Sequence, residues 1–364
     1  MVATSVKDDK RSLNDNAKLK EQLACALELE RKNGNAGRLE PLKESCHVYS
    51  KPDPQWAIRG LELISKGQVA ALTMAGGQGT RLGSSKPKGC FEITPGCSLF
   101  RLQARRFLEF KFAIPWMIMT SPATHQDTIE HFEANDYFGL DKNSVWFFQQ
   151  STIPALDEQS GRVILDAQGN QVTSPDGNGA IFTSMLENNL FERLDAINVK
   201  YIHVFSVDNV LVKPADPVFI GFSDTFQLEI ASKSVYRLPG EKAGVFGVRD
   251  NRIQVCEYTE LDPKSDSDYL DANIANHVFT LSAMREAPKL HLPFHVARKS
   301  IKISDHESVP GIKLERFIFD AFPMFQEQAV LRVPRESEFA PLKNATGSDS
   351  PQSCLEALER NGLL

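Results

Sequence analysis

Long apolar runs are missing from this sequence: none approaches the roughly 18 residues that a membrane-spanning helix needs. The N-terminal stretch MVATSVKDDKRSLNDNAK is polar and carries acids, unlike a signal or transit peptide. An excess of positive charge is missing as well. Lys and Arg number 41 against 47 Asp and Glu, a net charge of -6, so no global positive field exists to collect nucleic acid or an anionic membrane surface. An anionic ligand must therefore be held locally. The six cysteines, Cys25, Cys46, Cys90, Cys97, Cys256 and Cys354, form no C-x-x-C and no His-paired zinc spacing, which excludes a structural zinc framework and suits reduced thiols. Internal repeats and low-complexity tracts are also absent from the sequence. These gaps lead us to expect a soluble, cytoplasmic monomer that binds neither nucleic acid nor membrane.

What is present is the composition of an ordinary globular protein, 364 residues with 41% hydrophobic and 24% charged, enough for one large domain with smaller attachments. Residues 1–16 read as disordered. Leu19, Leu23, Ala26, Leu27 and Glu30 follow helical spacing until Asn33-Gly34 supplies a stop, and a second helix is expected over 54–66 with Gly67 ending it. Residues 17–67 thus form a short helical N-terminal segment.

From Val69 strands and helices alternate. The apolar run VAALTMA (69–75) reads as a buried parallel strand. A helix over 98–112, a strand over 114–119, a helix over 122–134 and a strand over 145–150 follow, then a hairpin-like insert around Gly161 and Gly169. PDGNG (175–179) opens a helix through Leu194, and YIHVFSVDN (201–209) reads as a strand ending in an acid. Later strands are expected over 228–235, 243–248, 252–258 and 329–333, and a helix over 311–322. This pattern predicts an α/β fold, a wound mixed sheet of Rossmann-like type spanning 68–345. Residues 346–364 form a tail whose helix starts near Ser350-Pro351, ends at Asn361-Gly362 and docks through Cys354, Leu355 and Leu358.

The segment MAGGQGTRLGSSKPKG (74–89) directly follows the first buried strand, where backbone N–H groups can face an anion. Gly76, Gly77 and Gly79 permit close approach, while Arg81 and Lys88 supply cations suited to a triphosphate. Leu82 occupies the third glycine position of a dinucleotide fingerprint, and no G-K-[ST] closes a Walker A loop. A plain glycine turn between strand and helix is the bland alternative.

This stretch closely resembles the signature of eukaryotic UDP-N-acetylglucosamine pyrophosphorylases. FFQQSTIP (147–154), PDGNG (175–179), VDNVLVKPADP (207–217), CEYTE (256–260), NIANHVFT (273–280), KLERFIFD (313–320) and ESEFAPLKN (336–344) resemble that family's later blocks in order. The resemblance implies a nucleotidyltransferase fold and a reaction of UTP with N-acetylglucosamine 1-phosphate, giving UDP-N-acetylglucosamine and pyrophosphate. It implies that Gly76, Gly77, Gln150 and Gly177 recognise the uracil side of UTP. It places the sugar against Asn178, Gly244, Glu257, Asn273, Phe317 and Phe319. It assigns Arg81, Lys88, Lys313 and Lys343 to the phosphates and Asp208 to Mg²⁺ (or Mn²⁺), a hard cation suited to a strand-end carboxylate.

Taken without the family, several of these positions have plainer readings. Gln150 would be a surface amide, Gly177 a loop glycine, Asn178 a cap and Glu257 a solvated carboxylate. Asp208 would form an Asx turn with Asn209, and Phe317 and Phe319 would be core residues on opposite sides of a helix. The sequence also departs from the family pattern at Ser151, at Ala180 and at Asp271-Ala272, where added bulk bears on sugar preference. It stops soon after PLKN, where relatives continue into a small β-rich domain. The reaction implied is an in-line attack needing aligned anions and charge neutralisation, with no covalent enzyme intermediate. Two rivals stand beside it: a uridylyltransferase for another hexose 1-phosphate (GalNAc, glucose or galactose), and a catalytically silent, truncated UDP-sugar binder.

Overall fold

A computed structural model describes residues 18–28, 39–44, 47–258, 260–261, 266–304 and 306–364. The expected disorder of 1–16 and the helix stop at Asn33-Gly34 lie outside the described residues. The chain divides into two compact units. Of the described residues, the larger comprises those within 38–150, 181–290 and 322–364, and the smaller those within 1–37, 151–180 and 291–321.

The larger unit is built on an 11-stranded sheet. Its strands are β1 (Glu40–Pro41), β2 (Val48–Tyr49), β3 (Val69–Met74), β4 (Trp116–Thr120), β5 (Val145–Gln149) and β6 (Tyr201–Ser206). They continue with β7 (Ile230–Tyr236), β8 (Val245–Arg249), β9 (Arg252–Cys256), β10 (Asp271–Thr280) and β11 (Gln328–Arg332). The main path runs β2-β11-β7-β10-β6-β3-β4-β5, and β8 joins β1 and β9 to the start of β10. Every residue of β3 is buried, as a near-continuous apolar run between two parallel neighbours requires, and its one polar side chain, Thr73, is hydrogen-bonded to Gln103 and Trp116. β6, β3, β4 and β5 are mutually parallel, so their C-terminal ends leave one edge of the sheet. β10 is antiparallel to both neighbours, and its register against β7 shifts between Ser232 and Ser234.

The helices follow local rules. Asp53 caps the helix Pro54–Ser65 and Gly67 stands at φ 69 beyond it. Ser98 caps Leu99–Leu108, which stops short of the expected Phe112. The helix expected from Pro122 starts only at His125, and the one expected through Leu194 is broken at Asn189, whose φ is 53. The C-terminal helix Pro351–Arg360 has a capping box at Ser350 and Ser353 and buries Cys354, Ala357 and Leu358 in the main core, so it docks as expected through Cys354 and Leu358 but with Ala357 in place of the half-buried Leu355.

The smaller unit contains the helix over 18–28, whose Leu19, Leu23 and Ala26 pack with Ile153, Leu156, Ile312 and Leu314. It also contains the antiparallel strands His295–Lys302 and Ser308–Glu315. The helix expected over 311–322 is therefore wrong: 308–315 is strand, followed by a 3₁₀ turn over Ile318–Met324. Ile312 and Leu314 alternate with Lys313 and Glu315, a period of two that the strand partner His295–Lys302 makes decisive.

Candidate active site

Three site positions of the larger unit follow directly from the sheet. The glycine-rich loop continues β3, Asp208 lies two residues beyond β6, and Gln150 follows β5; parallel pairing of Ser206 with Met74 and of Thr120 with Gln149 puts all three at one edge. Such an edge is where wound α/β sheets place ligands. The loop folds back on itself, with Lys88 N–H donating to Gly77 O at 3.1 Å and Gly79 N–H donating to Lys86 O at 3.3 Å. Lys88 Nζ then stands 3.5 Å from Asp208 Oδ2, both side chains about one-fifth exposed. Arg81, on the 3₁₀ turn Thr80–Leu82, is exposed and makes no ion pair among the described residues. Gln150 is buried against the loop: a Cβ added at Gly76 would lie 2.4 Å from its Nε2.

Lys343 reaches this edge from the chain's end. Leu342 N–H donates to Asp208 O at 2.9 Å, and Lys343 N–H donates to Asp349 O at 2.7 Å. Its Nζ lies 3.7 Å from Asp349 and 5.6 Å from the Phe339 ring. Beneath it Cys354 is buried, and burial together with the Asp349 and Asp208 carboxylates pushes its thiol up to about 12, against Lys88. Cys354 is therefore an inert core thiol.

Gly244, Glu257 and Asn273 also converge in the larger unit. Asn273 N–H donates to Gly244 O at 2.8 Å, and a Cβ at Gly244 would lie 3.3 Å from Glu257 Oε1. Asn273 Oδ1 accepts from Ala275 N–H at 2.9 Å, next to the irregular stretch of β10 where Ala275 has φ 51. Ala272 is fully buried in the core, so its methyl is enclosed by protein, and Asp271 is committed to Arg332 and Ser234. Those two departures from the family pattern are thus structural.

The smaller unit gathers Gly177, Asn178, Phe317 and Phe319. Gly177 has φ 85, and a Cβ there would meet Arg316 O at 2.3 Å, so only glycine fits. Asn178 Oδ1 accepts from Ile318 N–H at 2.9 Å, fixing the PDGNG turn to the aromatic segment. Phe317 and Phe319 stack at 5.0 Å and 22°, and His295 lies 4.7 Å from Phe317 while bonding Asp320 at 2.9 Å. They are neighbours on one surface, not opposite sides of a helix. Lys313 lies on the strand Ser308–Glu315 that leads into this segment, paired in register with Ala297.

Sequence reasoning missed the groups that hold these positions. Arg316 grips Asp176 with two nitrogens, and Ser151 Oγ donates to Asp176 at 3.1 Å. Burial raises the Asp176 carboxyl above its ordinary value against the pull of Arg316. Asp176 and Arg316 both sat inside recognised blocks, but nothing local pairs residues so distant in sequence.

The glycine-rich loop, with Lys88 on it, and Asp208 lie at the ends of adjacent strands of a wound sheet, an arrangement that suits an enzyme of the nucleotidyltransferase class. The family described as UTP--glucose-1-phosphate uridylyltransferase matches residues 35–353, and the chain belongs to it. It is similar to a probable UDP-N-acetylglucosamine pyrophosphorylase of Schizosaccharomyces pombe, 37% identical over 93% of this chain and 78% of that protein. It is similar also to the UDP-N-acetylglucosamine pyrophosphorylase of Saccharomyces cerevisiae, 38% identical over 85% and 72% respectively. Among solved structures, the uridine diphosphate N-acetylglucosamine pyrophosphorylase of Trypanosoma brucei in complex with inhibitor superposes with a TM-score of 0.82. It is 31% identical, covering 96% of this chain and 75% of that one.

Proposed function

We propose that this protein is a uridylyltransferase that joins UTP to N-acetylglucosamine 1-phosphate, giving UDP-N-acetylglucosamine and pyrophosphate. The relatives' activity supports this reading, and one observation carries it to these residues. Lys88, Asp208 and the Lys343 segment are assembled beside the glycine-rich loop at the C-terminal edge of the sheet.

An oxygen of the sugar 1-phosphate attacks the α-phosphorus of UTP; the bond from that phosphorus to the α,β-bridging oxygen breaks, and pyrophosphate leaves with the electron pair. The phosphate monoester is already nucleophilic near neutral pH, so the protein's work is alignment and charge neutralisation. Gly76 and Gly77 admit the nucleotide to the backbone, and Gln150 offers an amide that can pair uracil's N–H and carbonyl groups. Arg81, Lys88, Lys343 and Lys313 meet the phosphates. Gly177 shapes the base side, and Asn178, Gly244, Glu257, Asn273, Phe317 and Phe319 contact the sugar.

The donor set around Asp208 suits a hard cation shared with substrate. No group of three or more His, Cys, Asp or Glu side chains able to hold a metal occurs among the described residues. Mg²⁺, which keeps waters and takes phosphate oxygens beside one or two carboxylates, needs no such cage. Asp208 would hold Mg²⁺ (or Mn²⁺), which supplies charge neutralisation at the phosphates when bound. The free thiols Cys25, Cys90, Cys97, Cys256 and Cys354 fit a reducing, cytoplasmic setting. No helix among the described residues is long and apolar enough to cross a membrane.

The test is pyrophosphate release with UTP and a panel of N-acetylglucosamine, N-acetylgalactosamine, glucose and galactose 1-phosphates. The N-acetylglucosamine ester should give the highest kcat/KM. A glucose ester turned over best would move the protein to the other branch of its family, and no turnover with any sugar would make it a silent binder.

A further inference from the structure

We propose that Asn209 is a positioning residue that holds the Asp208 turn and the Lys343 segment in one fixed arrangement. The proposal rests on the reading above that these two groups act on the phosphates. The Asn209 amide is buried, and three of its four hydrogen-bonding positions are directed at the turn and the distant segment. Nδ2 donates to Glu338 O at 2.7 Å, and Oδ1 accepts from Ala340 N–H at 3.0 Å and from Leu211 N–H at 3.2 Å. Backbone bonds extend this clamp on both sides: Val210 N–H donates to Ala340 O at 3.1 Å and Leu342 N–H to Asp208 O at 2.9 Å. Asp208 directly precedes Asn209, and Lys343 directly follows Leu342.

The far side of the clamp is itself anchored. Glu338 accepts from the fully buried Lys233 at 2.8 Å, and Lys233 also donates to Asp216 at 2.6 Å. Lys213 donates to the remaining Glu338 oxygen. The segment carrying Lys343 is thus tied to β7 through side-chain charge and to the Asp208 turn through the Asn209 amide. Only a primary amide supplies a donor and an acceptor in one plane at this site. Aspartate would keep the acceptor and lose the donor; alanine would leave Glu338 O and Ala340 N–H unpaired in the interior.

The test is a double-mutant cycle of Asn209→Ala with Lys343→Ala, read by kcat and by calorimetric affinity for inorganic pyrophosphate with Mg²⁺. Asn209→Ala should lower kcat and pyrophosphate affinity at least tenfold, with sugar 1-phosphate KM within about threefold of wild type. In the Lys343→Ala background the same change should cost several-fold less than in the wild type, because the part of its effect that passes through Lys343 is already lost. Asn209→Asp is the second variant and should show the same non-additivity. Wild-type kcat and pyrophosphate affinity in a folded Asn209→Ala, or losses that multiply fully in the double mutant, would overturn the proposal. Failure of both single variants to fold would overturn it too, showing a structural role. A wild-type protein that binds pyrophosphate but never turns over would instead refute the uridylyltransferase reading, while the binding cycle still judges Asn209.

Discussion

An added methyl at each of the two loop glycines separates protein packing from ligand contact. Neither Gly76 nor Gly77 has a left-handed φ, so alanine fits either backbone, and its effect on stability through the unfolded chain is about 1 kcal/mol or less. At Gly77 the new Cβ has no protein atom within 4 Å, so the free protein should not register it and only a bound nucleotide would. At Gly76 the Cβ would lie 2.4 Å from Gln150 Nε2 and 3.1 Å from its Cδ. That neighbour is the end of a side chain, which must swing aside by roughly 1 Å to reach ordinary contact distance. Displacing it removes one or two hydrogen bonds to the base, about 1–3 kcal/mol in all, or roughly 5- to 150-fold in UTP affinity. Thermal midpoints of both variants should therefore stay near wild type, while KM for UTP rises in both and Gly76→Ala also loses preference for UTP over CTP. Unchanged UTP affinity in both variants would refute the placement of the nucleotide on this loop.

Lys88→Ala and Arg81→Ala should each lower kcat by about 10²- to 10³-fold, by analogy with loss of an oxyanion donor; near wild-type turnover in both removes them from the leaving group. Asp208→Asn should shift the Mg²⁺ titration of turnover far more than UDP-sugar binding measured without metal, and an unchanged titration removes Asp208 from the metal. Deleting residues 349–364 strips Cys354, Ala357 and Leu358 from the core as well as Asp349 from Lys343, so both thermal midpoint and kcat should fall, with about 3–5 kcal/mol lost; equal activity would make the helix dispensable. Acid should weaken the fold through two buried imidazoles, His203 lowered to about 4 and His277 to about 3 by burial. His203 Nδ1 accepts from Ala215 N–H, so its neutral ring donates to Asn276. Because the folded values lie below the unfolded one near 6.5, the unfolded chain binds more protons and stability drops as pH falls below about 6.5. Each ring accounts for about 2 kcal/mol between pH 7 and 5, and a urea midpoint flat over that range contradicts it.

The parts of this molecule legible in sequence are those fixed by short-range pattern. β3 reads as buried because its residues are apolar but for Thr73, and the loop after it reads as an anion site because glycines and cations follow a strand. The segment 308–315 was illegible because Ile312, Leu314, Phe317 and Phe319 fit both a helical and an alternating pattern. Its partner strand His295–Lys302, which directly precedes it in the chain, settles the matter by pairing along its whole length. β10 was missed as a single long strand, since Asn273, Asn276 and His277 are poor strand formers that are held here by Gly244, His203 and Ser232. An Asx turn is the plain reading of Asp208, whereas the side chain that closes such a turn is that of Asn209, onto Leu211 N–H, and its bonds to Glu338 and Ala340 cross about a third of the chain. Local pattern finds the candidate site groups; long-range hydrogen bonds decide how those groups are held.

The most direct measurement is ³¹P NMR of the wild-type protein incubated with UTP, N-acetylglucosamine 1-phosphate and Mg²⁺. The account predicts equal growth of the two coupled UDP-sugar resonances and of the pyrophosphate singlet, with no orthophosphate. Absence of both products, or orthophosphate in place of pyrophosphate, would contradict it.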